Sequence, residues 1–329
     1  MEDATKTESA SQGAAPVQNQ VEKVAKPLDI IVLAGGPSSE REVSLASGEA
    51  VFVAIDKLGH HTVIDDINEE NLSAIERKAD LVFIALHGEF GEDGTLQREL
   101  DQRGIRYTGS GARASELAMH KVNAKRRFEA AGLPTPSCFV ANHENFDQLF
   151  DRISAPAVIK PVASGSSVDT TIAHDESALR NDAQQVVSKY GEALVETFVD
   201  GPELTCAVLG DEALPVCQIV PAREFYDYHA KYHANDTRYE FEIDLPETLL
   251  AEVQRLALAA HTSLGCEVFS RVDFMVDADM NPYILEVNTI PGFTSHSLVP
   301  KAARRIGVGF EALCQKIVEL SLAKYPQCE

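Results

Sequence analysis

Basic residues are in short supply in this chain: 29 lysines and arginines stand against 51 aspartates and glutamates, for a net charge of −22. Phosphate backbones are bound by basic surfaces, so this balance excludes nucleic acid as a partner and requires any anionic substrate to meet a local basic cluster. No apolar run approaches the ~18 residues of a membrane-spanning helix, which excludes a membrane partner of that kind. The first 27 residues, MEDATKTESASQGAAPVQNQVEKVAKP, lack the apolar centre of a secretory signal and read as a disordered polar tail. That tail holds three lysines and four acids, so nearly all of the excess charge lies beyond it. The six cysteines, Cys138, Cys206, Cys217, Cys266, Cys314 and Cys328, show neither a Cys-x-x-Cys pair nor zinc spacing. They read as reduced packing residues of a cytoplasmic protein. Two nucleotide signatures are also missing. Without Gly-x-Gly-x-x-Gly a dinucleotide site is disfavoured, and with it a Rossmann oxidoreductase; without Gly-x-x-x-x-Gly-Lys-Ser/Thr there is no P-loop.

What is present is an ordinary globular composition, 44% hydrophobic and 24% charged, long enough for two or three domains. From Leu28 onward strand and helix alternate: LDIIVLAGG, then the helical spacing of EVSLASGEAVFVAIDKLG, then ADLVFIALHG. That rhythm predicts a parallel α/β sheet, whose ligands collect at the loops leaving the carboxyl ends of its strands. A long helix is expected over residues 112–131, halted by GLPTPS. Strands at PAVIKPV and EALVETFV flank a helix over 176–190. The last third holds the strand ELTCAVLG, a polar loop from Arg223 to Arg238, the helix PETLLAEVQRLALAAHTSLG, a hairpin and a closing helix over 309–323.

The hairpin RVDFMVDADMNPYILEVN is unusual because acids flank its apolar runs. With the turn centred between Asp279 and Met280, Asp273 lies opposite Glu286 and Arg271 opposite Asn288, all on one face. Carboxylates opposed at ~5 Å repel by roughly 3 kcal/mol at an effective dielectric of about 20. A bound divalent cation removes that repulsion, and two carboxylates with an amide oxygen suit Mg²⁺. The alternative is a solvated face carrying a loose Arg–Asp pair.

Four loops could carry chemistry. GGPSSEREVS leaves the first strand through a glycine turn and places Glu40 where an ammonium could sit, although a loop glutamate is also commonly just solvated. In ALHGEFGEDGTLQREL, His87 is placed to meet a carboxylate or to serve as a satisfied structural histidine. Lys160 ends the strand of VIKPVASGSS ahead of a Gly-Ser-Ser turn able to cradle phosphate, and Lys121 is a second candidate phosphate contact. The segment IVPAREFYDYHAKYHANDTRYEFE interleaves Phe225, Tyr226, Tyr228, Tyr232 and Tyr239 with Arg223, Lys231 and Arg238. Such a cluster suits a mobile lid over an anionic substrate, or else a long surface loop.

Taken in order, GGPSSEREVSLASG, ALHGEFGEDGTLQ, YTGSG, GSSV, FYDYHAKY, RVDFMV and LEVNTIPGFTSHSLVP resemble the D-alanine:D-alanine ligases of the ATP-grasp superfamily, over about residues 28–325. The resemblance implies an α/β, ATP-grasp fold behind an N-terminal Rossmann-like (pre-ATP-grasp) domain. Its parts are the tail (1–27), the Rossmann-like substrate domain (28–119), a small central ATP-grasp subdomain (120–200), and a C-terminal subdomain with metal site and lid (201–329). It also implies a cytoplasmic homodimer that uses ATP and D-alanine to make D-alanyl-D-alanine for peptidoglycan, through an acyl phosphate.

By matching motifs, Asp273, Glu286 and Asn288 would hold two Mg²⁺ (or Mn²⁺) ions. Lys121 and Lys160 would grip the phosphates, with Ser166 and Lys231 also at the nucleotide. Glu196, Phe198, Val199, Glu203 and Leu285 would receive adenine and ribose. Glu40 would bind the first ammonium, with Ser166 and Tyr232 steadying it, and His87 would belong to the substrate site. Arg271 and the Gly292 N–H would stabilise the oxyanion, while Ser297 and Leu298 would receive the second amino acid. Tyr232 favours an amine acceptor over D-lactate. The sequence departs from the family where Ser164 stands for an acid, Asp169 for a glycine, Thr197 for a common lysine and His120 for a common aspartate; these changes bear on nucleotide affinity more than on reaction type. Rival readings are a ligase of another amino-acid pair, such as D-alanine with D-serine or D-lactate, and a nucleotide-binding homologue without catalysis.

Overall fold

The computed structural model describes residues 24, 26–163, 165, 168–220 and 237–325. The polar tail, Ser164, Ser166, the lid segment with Lys231 and Tyr232, and Cys328 therefore lie outside the described residues, apart from a few residues at the tail's end.

Strands β1 (Asp29–Ala34), β2 (His61–Asp66) and β3 (Leu81–Ile84) form a parallel sheet in the order β2-β1-β3. Ile30 to Ala34 form a continuous buried run, as expected of a central parallel strand covered on both faces. Helix α1 (Arg41–Lys57) makes the crossover between β1 and β2 that a parallel pair requires, and buries Ser44, Ser47, Gly48, Val51, Ala54 and Ile55 at helical spacing. Gly48 faces β1 so closely that a Cβ there would lie 2.3 Å from the Cβ of Ala34.

The helix expected over 112–131 is two helices, and the sequence reading is corrected here. Following α2 (Thr95–Arg103), helix α3 (Ala112–Met119) ends at His120, which adopts an extended conformation, and α4 (Lys121–Ala130) begins immediately after it. The His120 ring caps α4 by accepting the Asn123 N–H at 3.4 Å. Lys121 is thus the first residue of a helix rather than an interior one, and its N–H is spent on the Val162 carbonyl at 3.0 Å, beside the strand that carries Lys160.

A second sheet, fully antiparallel, orders β4 (Cys138–Asn142), β7 (Glu192–Thr197), β5 (Ala157–Lys160) and β6 (Thr171–Ala173), and packs on α5 (Glu176–Tyr190). The third is also antiparallel. It runs β11 (Arg238–Glu240), β10 (Cys217–Val220), β8 (Glu203–Leu209), β12 (Phe269–Val276), β13 (Pro282–Asn288), with the short β9 (Glu212–Ala213) on β8. One face of this sheet is apolar, where Val272, Phe274, Ile284 and Val287 meet Leu249, Val253, Leu256 and Ala260 of α6 (Glu247–Leu264). The chain closes with α7 (Leu298–Arg305) and α8 (Phe310–Ala323), whose Leu313 and Ile317 share a core with Ile30 and Phe83 of the first sheet.

In the β12–β13 hairpin Asp273 pairs with Glu286 and Arg271 with Asn288, the register expected from sequence. Nearer the turn the register shifts, so that Phe274 pairs with Ile284 and Leu285 is the extra residue of a bulge.

The tight seat of α1 generates a prediction. Gly48→Val should lower stability by about 1–3 kcal/mol through overpacking against Ala34, read as a lower urea midpoint; an unchanged midpoint would contradict the close approach.

Candidate active site

The loop after β1 is fixed by its own backbone and by two charged side chains. Gly35 and Gly36 both adopt left-handed φ values, 85° and 80°, which cost glycine little. The Gly36 N–H donates to Asp66 at 2.9 Å, and Arg41 donates to the Gly36 carbonyl at 3.0 Å while pairing with Asp66. Ser44 accepts the Gly35 N–H and donates to the Ala85 carbonyl, both at 2.9 Å, so α1 binds the ends of β1 and β3 together. Glu40, 8% exposed, emerges from this frame. Its carboxylate lies against two glycine backbones, Gly88 and Gly165, where a Cβ would approach Oε2 to 2.7 and 2.9 Å. Glu40 is thereby brought to the Gly-Ser-Ser loop across a wide sequence gap.

His87 is buried, and both ring nitrogens are engaged inside the protein: Nδ1 with the Ile290 carbonyl at 2.8 Å and Nε2 with Ser47 Oγ at 3.1 Å. An Nδ1–H that donates to the carbonyl leaves Nε2 to accept from the serine, whose oxygen takes the Phe293 N–H at 3.1 Å. Burial pushes its pKa down against the pull of Glu40. Of the two readings of His87, these contacts favour the satisfied structural histidine, a ring that holds the loop carrying Gly292. Glu92 holds the same loop, taking the Ile290 N–H at 3.1 Å and the Gly88 N–H at 3.2 Å. Burial, with Glu40 adding to it, raises its pKa to about 7.

Across the cleft, Arg271 grips Asp273 with two hydrogen bonds of 2.9 and 2.8 Å. Asn288 donates to the same carboxylate at 3.1 Å and Thr205 at 2.6 Å. Glu286 faces Lys121 at 3.6 Å. Arg271 and Lys121 thus already supply positive charge beside the opposed acids, and the Arg–Asp pair is a firm bidentate one. A cavity of about 550 Å³ is lined by Lys121, Lys160, Glu196, Asp273 and Glu286 at one end. Phe198, Val199, Glu203, Met275 and Leu285 give it an apolar wall with an acidic edge.

Glu196 is 2% exposed and shared by two lysines, Lys125 at 2.6 Å and Lys160 at 2.5 Å. Burial disfavours its charge, but the lysines outweigh burial and hold its pKa below the usual carboxylate range. Lys160 is likewise opposed by burial and held above its ordinary value by Glu196 and Glu286. The sequence reading missed Lys125; its signal was the i, i+4 spacing from Lys121 in KVNAK, visible only once the helix is known to start at Lys121. It missed the role of Glu92 too, although the residue stands inside a quoted motif.

Ser297 precedes α7, and its hydroxyl accepts the Thr294 N–H at 3.0 Å. Gly292 faces that hydroxyl, and Leu298 packs with Ile219 and Tyr239. Among the described residues no group of three or more His, Cys, Asp or Glu is arranged as a metal site. Ser166, Lys231 and Tyr232 lie outside the described residues.

Two family models match, described as D-ala D-ala ligase C-terminus over residues 129–319 and D-ala D-ala ligase N-terminus over residues 64–110. The chain belongs to the D-alanine–D-alanine ligase family. Among its relatives, D-alanine–D-alanine ligase B of Chromobacterium violaceum is 44% identical over 293 residues, 88% of this chain and 96% of that protein. The crystal structure of the Bacillus anthracis D-alanine–D-alanine ligase complexed with ATP superposes with a TM-score of 0.78 at 34% identity, covering 90% of this chain and 98% of the other. VanG D-Ala:D-Ser ligase from Enterococcus faecalis gives a TM-score of 0.80 at 29% identity, over 90% of this chain and the whole of the other. The fold is thus ATP-grasp, as the motifs implied. No helix among the described residues is long and apolar enough to cross a membrane.

Of this chain's departures from the family pattern, Asp169 is the most informative. It takes the left-handed φ of 52° that suits glycine, and its carboxylate is tied to Lys189 at 2.5 Å and to the Tyr190 hydroxyl. The charge that stands in place of the glycine is neutralised by the end of α5.

The Glu92 geometry has a pH consequence. Its raised pKa means that the folded state keeps the proton longer than the unfolded chain, so its contribution to stability is full below about 4.5 and is lost as pH rises through about 7. Carboxyl-¹³C-glutamate spectra should show one resonance titrating near pH 7 that is missing in Glu92→Gln; titration of every glutamate below pH 5.5 would contradict this.

Proposed function

We propose that the chain joins two D-alanines at the expense of ATP, giving D-alanyl-D-alanine, ADP and phosphate for peptidoglycan. The observation that carries this reading is the convergence of Lys121, Lys160, Asp273 and Glu286 on one cavity in a chain of this family. A carboxylate oxygen of the first D-alanine attacks the γ-phosphorus and ADP leaves. The amine of the second then attacks the acyl carbon, forming the C–N bond as the C–O bond to phosphate breaks and the amine gives up its proton.

Lys121 and Lys160 bind the phosphates, and the apolar wall of Phe198, Val199 and Leu285 seats the base, with Glu203 toward the ribose. Glu196 is the least direct of the expected nucleotide contacts, because its oxygens are already held by lysines. Glu40 receives the first ammonium between the Gly88 and Gly165 backbones. Arg271 and the Gly292 N–H meet the oxyanion, a term worth about 3–4 kcal/mol per donor. Ser297 and Leu298 adjoin the second amino acid, while His87 and Glu92 position the Gly292 loop. On the resemblance alone, Lys231 is assigned to the nucleotide and Ser166 and Tyr232 to the first ammonium, with the segment 223–238 as a lid that keeps water from the acyl phosphate.

Asp273, Glu286 and the Asn288 amide oxygen fit divalent magnesium or manganese: all are hard oxygen donors on neighbouring strands, and such ions are commonly held by one or two carboxylates with substrate phosphates. Bound there, two ions would neutralise charge on the transferring phosphoryl group. To offer its oxygens, Asp273 would exchange part of its Arg271 grip, freeing the guanidinium for the oxyanion. We extend the reading to a cytoplasmic homodimer divided at residues 119/120 and 200/201, the first division falling where α3 gives way to α4.

The neutralised Asp169 removes one ground for a non-catalytic homologue. The likeness to a D-Ala:D-Ser ligase keeps D-serine as a second acceptor to be tested. Purified protein with magnesium and ATP is expected to release phosphate only when D-alanine is added; turnover without D-alanine, or none with it, sinks the assignment, and a panel of D-serine and D-lactate assigns the acceptor. Glu286→Gln should still fold and lose at least ~100-fold in kcat, since it removes a charge at the phosphoryl group without changing volume. Full turnover by that variant would count against the site.

A further inference from the structure

We propose that Lys125 is a positioning residue for the phosphate end of the cavity: by occupying Glu196 it leaves Lys160 with an uncancelled positive charge for the nucleotide phosphates. The inference rests on the functional reading above. It begins from burial, because Lys125 is 1% exposed, and an ammonium is kept that far from water only against a matching anion and hydrogen-bond acceptor. Both are present. Glu196 Oε1 lies 2.6 Å away, and the ammonium donates to Thr135 Oγ1 at 2.6 Å, whose hydroxyl donates in turn to the Ile284 carbonyl at 2.8 Å. α4 is thereby tied to β13, the strand of Glu286, and to the second sheet through Glu196.

The charge arithmetic follows from the other oxygen of the same carboxylate, which pairs with Lys160 at 2.5 Å. Lys160 and Glu196 line the cavity, whereas Lys125 stands behind Glu196. A one-to-one pair of Lys160 with Glu196 would be neutral toward a ligand. Two lysines on one carboxylate carry a net positive charge, and the lysine that reaches the cavity displays it. Two of the neighbouring acids have cations of their own: Glu286, which also acts on Lys160, has Lys121 at 3.6 Å, and Asp273 is gripped by Arg271. Asp200, in the turn between β7 and β8, and Glu203, the first residue of β8, also line the cavity. In a protein of net charge −22, one displayed cation at the phosphate end matters more than it would on a basic surface.

A purely structural Lys125 would affect stability and leave polyanion affinity alone, so binding separates the two roles. The full chain is titrated calorimetrically with inorganic tripolyphosphate, which has no adenine to report on Glu196, alongside the ATP KM of the D-alanine-dependent reaction. Lys125→Met should weaken tripolyphosphate binding and raise the ATP KM by about tenfold or more, with kcat within about threefold. The double variant Lys125→Met with Glu196→Gln should return tripolyphosphate affinity to within about threefold of wild type, because Lys160 is then uncancelled again. An affinity in Lys125→Met within about twofold of wild type, a double variant no better than the single one, or no tripolyphosphate binding by wild type overturns the inference. Where Lys125→Met does not fold, Glu196→Gln alone decides: binding as tight as wild type or tighter is expected, and weaker binding overturns it. Loss of the functional reading shows separately, as wild type without D-alanine-dependent phosphate release.

Discussion

A carboxylate withdrawn from water has to be matched by positive charge, and the cleft of this chain is organised around that matching. Asp273 is held by Arg271, Glu286 faces Lys121, and Glu196 is shared by Lys125 and Lys160. The pairs draw on different parts of the chain: α4 supplies Lys121 and Lys125, β5 supplies Lys160, and β7, β12 and β13 supply the acids. Apart from Arg271 and Asp273, which share β12, each pair therefore joins elements as well as neutralising charge. Removing one member of such a pair is costly because it strands the other, which is why these residues constrain the fold as firmly as the apolar clusters do. The same geometry suits the proposed chemistry. Cations already placed against carboxylates can turn to phosphate and oxyanion when a ligand arrives, without a further charge having to be buried.

The hairpin illustrates how far sequence could go. Two apolar runs on either side of a turn at Asp277 to Pro282, with the turn centred between Asp279 and Met280, were enough to place Asp273 opposite Glu286 and Arg271 opposite Asn288. The glycine pairs, the parallel first sheet and the long helices were legible for the same reason, since each follows from local periodicity or backbone freedom. The break at His120 was not legible. Its cause is a tertiary hydrogen bond, the Lys121 N–H on the Val162 carbonyl, together with a cap from a histidine ring, and neither leaves a mark on the helical pattern of SELAMHKVNAKRRFEA. Because the break sets where α4 begins, the roles of Lys121 and Lys125 were blurred with it.

Residues that position others were the hardest to read. Glu92 and His87 act by holding backbone groups of the 290–293 loop, and which backbone groups come within reach is decided by how β3 and β13 lie relative to one another. A motif can show that such a residue matters to a family without showing that its work is to fix a loop. Asp169 makes the converse point. Judged against the family pattern it looked like a threat to nucleotide binding, yet its carboxylate is occupied by Lys189 and Tyr190, about twenty residues on and at the far end of a helix. The compensation is non-local, so no window of sequence around Asp169 contains it.

The bulge in the hairpin bears most directly on the cavity. In a regular strand Leu285 and Glu286 would point to opposite faces, one to the core under α6 and one to the cleft. The register shift between Asp273 and Phe274 adds one residue to β13, so both Leu285 and Glu286 line the cavity, while Ile284 and Val287 on either side remain in the core. An apolar seat and a carboxylate are thereby set side by side on one strand. On the proposed reading, that places the face of the base and the acid end of the phosphate site at adjacent positions. Two antiparallel strands of uniform register could have offered either an apolar surface or an acidic one at this point; the extra residue lets the same short hairpin present both.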